Sequence, residues 1–253
     1  MRRFLGIYAA AAYLFLYLPL AILGLFSFNN SKIAAWRGFT LDWYRGVFHN
    51  PALFEGTINS LIIAFTATIV STIVGTLAGY ALWKKRAPWL TNSLYMSLLA
   101  PEIVTGVALL ALFQWVFRFG HLQLGLHTVI LAHISFSLVY VVVVILARLR
   151  TFDPGVEEAA ADLGANRWQV FRHVTIPLLL PAILGAALLC FTVSFDDYVI
   201  TSLVAGVDSE TLPMMIYAMA RKGISPEVNA LSAMITVGLG LIILIASSLE
   251  RSR

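Results

Sequence analysis

Runs of about twenty or more mostly apolar residues recur along this chain, and no other feature constrains its fold as much. Wound as a helix, such a run matches the hydrocarbon core of a bilayer, where only helices and closed barrels satisfy their backbone groups. Six stretches qualify, at about 4–28, 57–82, 90–117, 128–147, 182–205 and 229–249. Composition excludes the alternatives. Of the 253 residues 60% are hydrophobic and 12% charged, whereas a soluble domain carries roughly 25% charge to build its polar skin. Disorder, collagen, a coiled coil and a disulfide scaffold are excluded too, since the one cysteine, Cys190, has no partner in the chain. The first stretch follows Arg2-Arg3, but it exceeds a signal peptide's h-region and no small-residue cleavage site closes it, so an uncleaved helix is expected. The reading is an all-α polytopic membrane protein, one transmembrane domain over 1–253 with six spanning helices.

Basic residues cluster at the ends of the apolar runs and form no stripe with stacking platforms, which argues against nucleic acid. With the N-terminus inside, Arg2, Arg3, Lys84, Lys85, Arg86, Arg148, Arg150, Arg167, Arg172, Arg251 and Arg253 face the cytoplasm. Only Lys32, Arg37, Arg45, Arg118, Arg221 and Lys222 lie outside. The positive-inside rule therefore places both termini in the cytoplasm. The outer segment 27–56 carries Trp36, Phe39, Trp43, Tyr44 and Phe48, a composition that predicts an amphipathic helix at the membrane interface.

The inner segment 151–181 is the most polar of the chain. Asp153-Pro154 starts a helix as cap and first residue, and Glu157 and Glu158 fall in its first turn, where the dipole favours acid. Ala159, Ala160 and Ala161 keep that helix slim, and Gly164 breaks it. A second short helix is predicted from Arg167, ending before Pro177. This is a helix–turn–helix with an acidic, small-residue face, suited to docking.

Glu158-Ala159-Ala160, Gly164 and, nine residues on, Val174-Thr-Ile176-Pro177 resemble the EAA loop of ABC importer permeases. Val174 and Ile176 are conservative departures from that pattern. The resemblance implies a type I permease fold of the bacterial inner membrane, with this loop as the coupling helix seated on an ATP-binding subunit. There Glu158 would pair with a basic group and Gly164 would permit the turn. It also implies a second permease subunit, two ATP-binding subunits and a periplasmic substrate-binding protein as partners. The chain has no Gly-x-x-x-x-Gly-Lys-Ser/Thr phosphate loop. A non-catalytic subunit with no cofactor of its own is expected, ATP and Mg being bound by the partner.

Similarity over nearly the whole chain is to permeases for spermidine and putrescine. It is carried by Tyr17-Leu-Pro-Leu-Ala-Ile-Leu, Phe26-Ser-Phe-Asn-Asn-Ser, Ala100-Pro-Glu-Ile-Val-Thr-Gly, Ser194-Phe-Asp-Asp-Tyr-Val-Ile, Thr211-Leu-Pro-Met and Gly223-Ile-Ser-Pro-Glu-Val-Asn-Ala-Leu. Permeases for iron, an amino-acid derivative or another organic cation stay open as alternatives, as does an ion-coupled secondary transporter. The residues themselves point to a cation. Asp196 and Asp197 lie about 15 residues into the fifth stretch, and Glu102 about 12 into the third, roughly 22 and 18 Å deep. Carboxylates at such depth face a bundle interior or a cavity, and no Lys or Arg shares the helix cores with them. At 100° apart, Asp196 and Asp197 cannot both face one pore squarely. Glu102, after Pro101, either lines the path or bonds groups that the proline frees. Tyr198, Phe195 and Trp115 offer cation–π faces or simple packing. Gly75 and Gly79 form a small-xxx-small step for close helix contact. The five histidines show no metal spacing, and His133 reads as a hydrogen-bonded polar residue.

Overall fold

The structure, a computed structural model, describes residues 2–31, 35–85, 87–118, 120, 123–221 and 226–251. Lys32, Arg86, His121, Lys222 and Arg253, which entered the readings above, lie outside the described residues, as do residues 223–225 of the last similar stretch. The described residues are helical apart from loops and one isolated bridge, Asn29 with Phe39. Two compact units divide the chain, Met1–Phe54 with Met215–Arg253, and Glu55–Met214.

In the first unit, α1 (Arg2–Phe26) packs on α12 (Pro226–Arg251), which also meets α2 (Asp42–Phe48). The segment 27–56 is tied down where it follows α1. Trp43 Nε1 donates to the Asn29 carbonyl at 2.9 Å, the Ser27 and Tyr44 hydroxyls meet at 2.6 Å, and Phe28 stacks on Phe39. A helix does form in the segment, the two turns of α2. Along α1 the apolar side chains stay uncovered, Phe15 being 80% exposed.

The second unit holds the long helices α3 (Pro51–Lys85), α6 (Leu126–Arg150) and α9 (Ile176–Asp196), with α6 at the centre. Lipid offers no hydrophobic drive between helices, so small residues and interhelical hydrogen bonds must supply the contact. Gly75 and Gly79 do so on α3. A Cβ at Gly75 would come within 2.7 Å of Val141 Cβ, and one at Gly79 within 2.9 Å of Ile145 Cγ2. Ser71 Oγ donates to the Ile134 carbonyl, and Cys190 Sγ to that of Ser137. The spacing of glycines was thus a packing signal.

Two predicted spans are not single helices. The stretch 90–117 is α4 (Pro88–Leu99) and α5 (Glu102–Phe117), meeting at 109° across Ala100-Pro101. Proline drives its predecessor into extended backbone, and Ala100 stands at φ −67, ψ 132. The stretch 182–205 breaks after Asp196 and resumes as α10 (Val199–Val204). Its helix also begins far earlier than expected. It runs from α8 (Arg167–Val170) through a π-helical turn (Phe171–Thr175) into α9, so it does not end before Pro177. The π turn shifts the hydrogen-bond ladder where Pro177 lacks its donor, which lets the helix pass.

Replacing Gly75 with Val forces α3 off α6 and should lower stability by about 1–3 kcal/mol. A fall in the apparent melting temperature of the detergent-purified protein checks this. Gly185→Ala, whose Cβ meets nothing within 4 Å, should leave it unchanged.

Candidate functional site

Both helix breaks open onto one cleft. Its walls include Ser97 and Ala100 before the first break, Glu102 and Thr105 after it, Asp197 in the second break, and Ser135, Phe136 and Tyr140 from α6. Pro101 stands where the N-cap of α5 falls, so Glu102 opens that helix at its positive end, which favours a carboxylate. The cleft measures about 80 Å³, room for several waters. No Lys or Arg is among its lining residues.

Asp197 is held from three sides. Its Oδ2 accepts the backbone N–H and the hydroxyl of Thr201, each at 2.8 Å, and its Oδ1 accepts the Ile200 N–H at 3.3 Å. The side chain therefore caps α10 and satisfies donors that the break would leave bare in lipid. On its third side lies His133, 1% exposed, with Nε2 3.5 Å from Asp197 Oδ2 and 2.9 Å from Thr201 Oγ1. Its Nδ1 meets Ser194 Oγ at 2.7 Å. One histidine thus ties α6 to both sides of the break, in the hydrogen-bonded role read for it.

Of the candidates for a substrate path, the structure brings Glu102 and Asp197 to one cleft and leaves Asp196, Tyr198 and Trp115 off its walls. Asp196 is exposed at the end of α9, and Trp115 is 63% exposed on α5. The sequence reading missed Thr105, Ser135, Phe136 and Tyr140. Phe136 and Tyr140 lie one turn apart on α6, and such a polar-aromatic stripe in an apolar helix was the available signal.

A second surface surrounds α7 (Gly155–Asp162). Asp153 Oδ1 accepts from the Gly155 N–H at 2.9 Å and begins the helix. Gly164 ends it at φ +89, a conformation that costs glycine nothing, and the Ala165 N–H closes back on the Ala160 carbonyl. Asn166 and Gln169 then cap α8 reciprocally at 2.8 and 2.9 Å. Glu158 and Ala159 are exposed and Ala160 is half-buried. Beside them Leu163 and Trp168 are 90% and 64% exposed. Ile176 is half-buried and Pro177 exposed at the start of α9. Glu158 points outward, as does Asp162 at the end of the helix, while Glu157 is buried and bonded to Tyr80, Lys84 and Thr175.

Residues 71–251 match the family of binding-protein-dependent transport system inner membrane components. The chain belongs to this family. It is 41% identical to the spermidine/putrescine transport system permease protein PotC of Haemophilus influenzae over 237 residues, 92% of this chain and 91% of that one. To the putrescine transport system permease protein PotI of Escherichia coli it is 38% identical over 242 residues, 92% and 85% of the two chains. Among solved structures it resembles a bacterial ABC transporter involved in the import of the acidic polysaccharide alginate. There the TM-score is 0.73 at 17% identity, covering 97% of this chain and 96% of that one. A methionine ABC transporter in an inward-facing conformation gives 0.63 at 18% identity over 79% and 93%. The fold is that of ABC importer permeases.

Asp197→Ala should remove the cap of α10 and cost about 1–2 kcal/mol, whereas Asn, itself a good cap, should cost much less. Thermal unfolding of the two purified variants makes the comparison. Equal melting temperatures would contradict the capping role.

Proposed function

We propose that this chain is the membrane-spanning subunit of an ATP-driven importer and passes polyamines, spermidine or putrescine, inward by alternating access. The observation that carries the reading is the pairing of Glu102 with Asp197 in one cleft that no Lys or Arg lines. Carboxylates at bilayer depth face a cavity and are costly unless neutralised, and an ammonium group supplies that charge in transit. The names of the relatives at 38–41% identity support the same substrate class. A cleft of about 80 Å³ suits one amino terminus of such a molecule and its water, with Phe136 and Tyr140 offering π faces to the cation.

The remaining partners follow from the same reading. A second permease chain lies against the uncovered apolar helices, two ATP-binding subunits hold ATP and Mg, and a periplasmic binding protein delivers the solute. Both chain termini and the 151–181 segment face the cytoplasm. The α7 surface, with Glu158 outward and Leu163 and Trp168 beside it, docks on an ATP-binding subunit. Closure of the ATPase pair then shifts α7 and reorients the helices around the cleft.

The test is uptake of labelled spermidine and putrescine by the assembled importer in vesicles. Asp197→Asn keeps the cap and removes the charge, and Glu102→Gln removes the other. Each should reduce uptake by about tenfold or more, the size of a lost buried charge contact. Wild-type uptake in both variants, or uptake of a neutral or anionic solute alone, sinks the polyamine reading. Glu158→Lys should abolish uptake while membrane insertion stays normal, and unimpaired uptake by that variant removes the docking assignment.

A further inference from the structure

We infer that Glu157, not its exposed neighbour, is the positioning residue that fastens the docking helix to the membrane helices and carries its movement to the cleft. This rests on the reading of α7 as the docking element. Glu157 is the one buried side chain of α7, at 6% exposure. An eight-residue helix held by a single buried group is held by whatever that group binds. Here the group is a carboxylate with donors on two different elements. Tyr80 Oη donates to Oε1 at 3.3 Å and Lys84 Nζ to Oε2, both from the end of α3. Thr175 Oγ1, in the π turn before α9, donates to Oε1 at 2.6 Å.

The surroundings hold this junction in shape. Lys84 Nζ lies 4.7 Å from the Trp83 ring centre, Trp83 meets Phe152 edge-on, and the Tyr80 ring sits 4.9 Å from that of Phe171. An apolar anchor here would let α7 slide, because apolar contact has no direction. Three directed bonds to one carboxylate fix both its place and its rotation. A π turn is a weak point in a helix, and Glu157 braces it from outside at Thr175. From Thr175 the helix runs on through the 21 residues of α9 to Asp196, roughly 30 Å at 1.5 Å per residue. Its far end is the break at Asp197, on the wall of the cleft. A displacement of α7 therefore reaches the cleft along one uninterrupted helix and the end of α3 at the same time.

The experiment uses the assembled importer in vesicles with a reporter that needs no knowledge of the solute. Ser97 lines the cleft, and Ser97→Cys can be labelled by a membrane-impermeant maleimide with and without ATP and vanadate; Cys190 is buried. Glu157→Gln keeps the size and one acceptor but loses the charge toward Lys84. Thr175→Val cuts the link to α9 and leaves the charge in place. In both, basal ATP hydrolysis should stay within about twofold while the ATP-dependent change in labelling falls about fivefold or more, as for residues acting in one coupled network. Thr175→Ser should restore it. The inference is overturned if both variants keep the full ATP-dependent change, or if they only lower assembly or melting temperature while the assembled fraction responds normally. Should Glu157→Gln fail to assemble, Thr175→Val alone decides. Loss of response here alongside normal uptake by Glu158→Lys would remove Glu158 as a docking residue and leave α7 as the docking element, with this inference standing.

Discussion

A helix interrupted inside a bilayer leaves backbone donors and acceptors with no water to meet them, and much of this molecule answers that constraint. At the second break the answer is Asp197, whose carboxylate takes the N–H groups of Ile200 and Thr201 and the Thr201 hydroxyl. At the first break Pro101 removes a donor outright, and its carbonyl accepts the Thr105 N–H as α5 begins. Each break is tolerated because it lines a cavity rather than facing lipid. The cleft is therefore a consequence of the interruptions, and its polar walls are in part the groups that make them possible. Asp197 serves both purposes at once, which explains why His133 and Thr201 converge on it, with Ser194 holding the far nitrogen of the histidine.

The long helices α1, α3, α6 and α12 were legible because hydropathy over twenty residues is a large signal. So were the start of α7 at Asp153, its end at Gly164 and the approach of α3 to α6 through Gly75 and Gly79, since each rests on local stereochemistry. The breaks were harder. Pro101 was read as lying within one spanning helix, but the turn of 109° depends on what α4 and α5 pack against, which no local window holds. The break at Asp197 has no proline or glycine to announce it. Asp197 followed by aromatic and β-branched residues reads as a charge buried in a helix, and only the partners at Ile200 and Thr201 reveal a cap. Pro177 misled in the opposite direction. It reads as a stop, yet the π turn before it lets the helix continue through Pro181 to Asp196.

The same tension between local pattern and tertiary partner separates Glu157 from Glu158. Consecutive residues of a helix point about 100° apart, so two adjacent glutamates cannot share one environment on a helix lying against a surface. The spacing of the Glu-Ala-Ala pattern selects Glu158 and says nothing of its neighbour. Tyr80 and Lys84, one turn apart on α3, are some 75 residues away in sequence, and their aim at Glu157 is invisible until the chain is folded. An ion pair whose lysine is half-exposed, as Lys84 is, adds little net stability, because water screens the attraction and burial of the carboxylate offsets part of it. Its presence at the one buried position of α7 is therefore better explained by orientation than by strength. An element that must receive a push on its outer face and hand it to two helices needs a joint that neither slides nor rotates, and a carboxylate with three donors is such a joint.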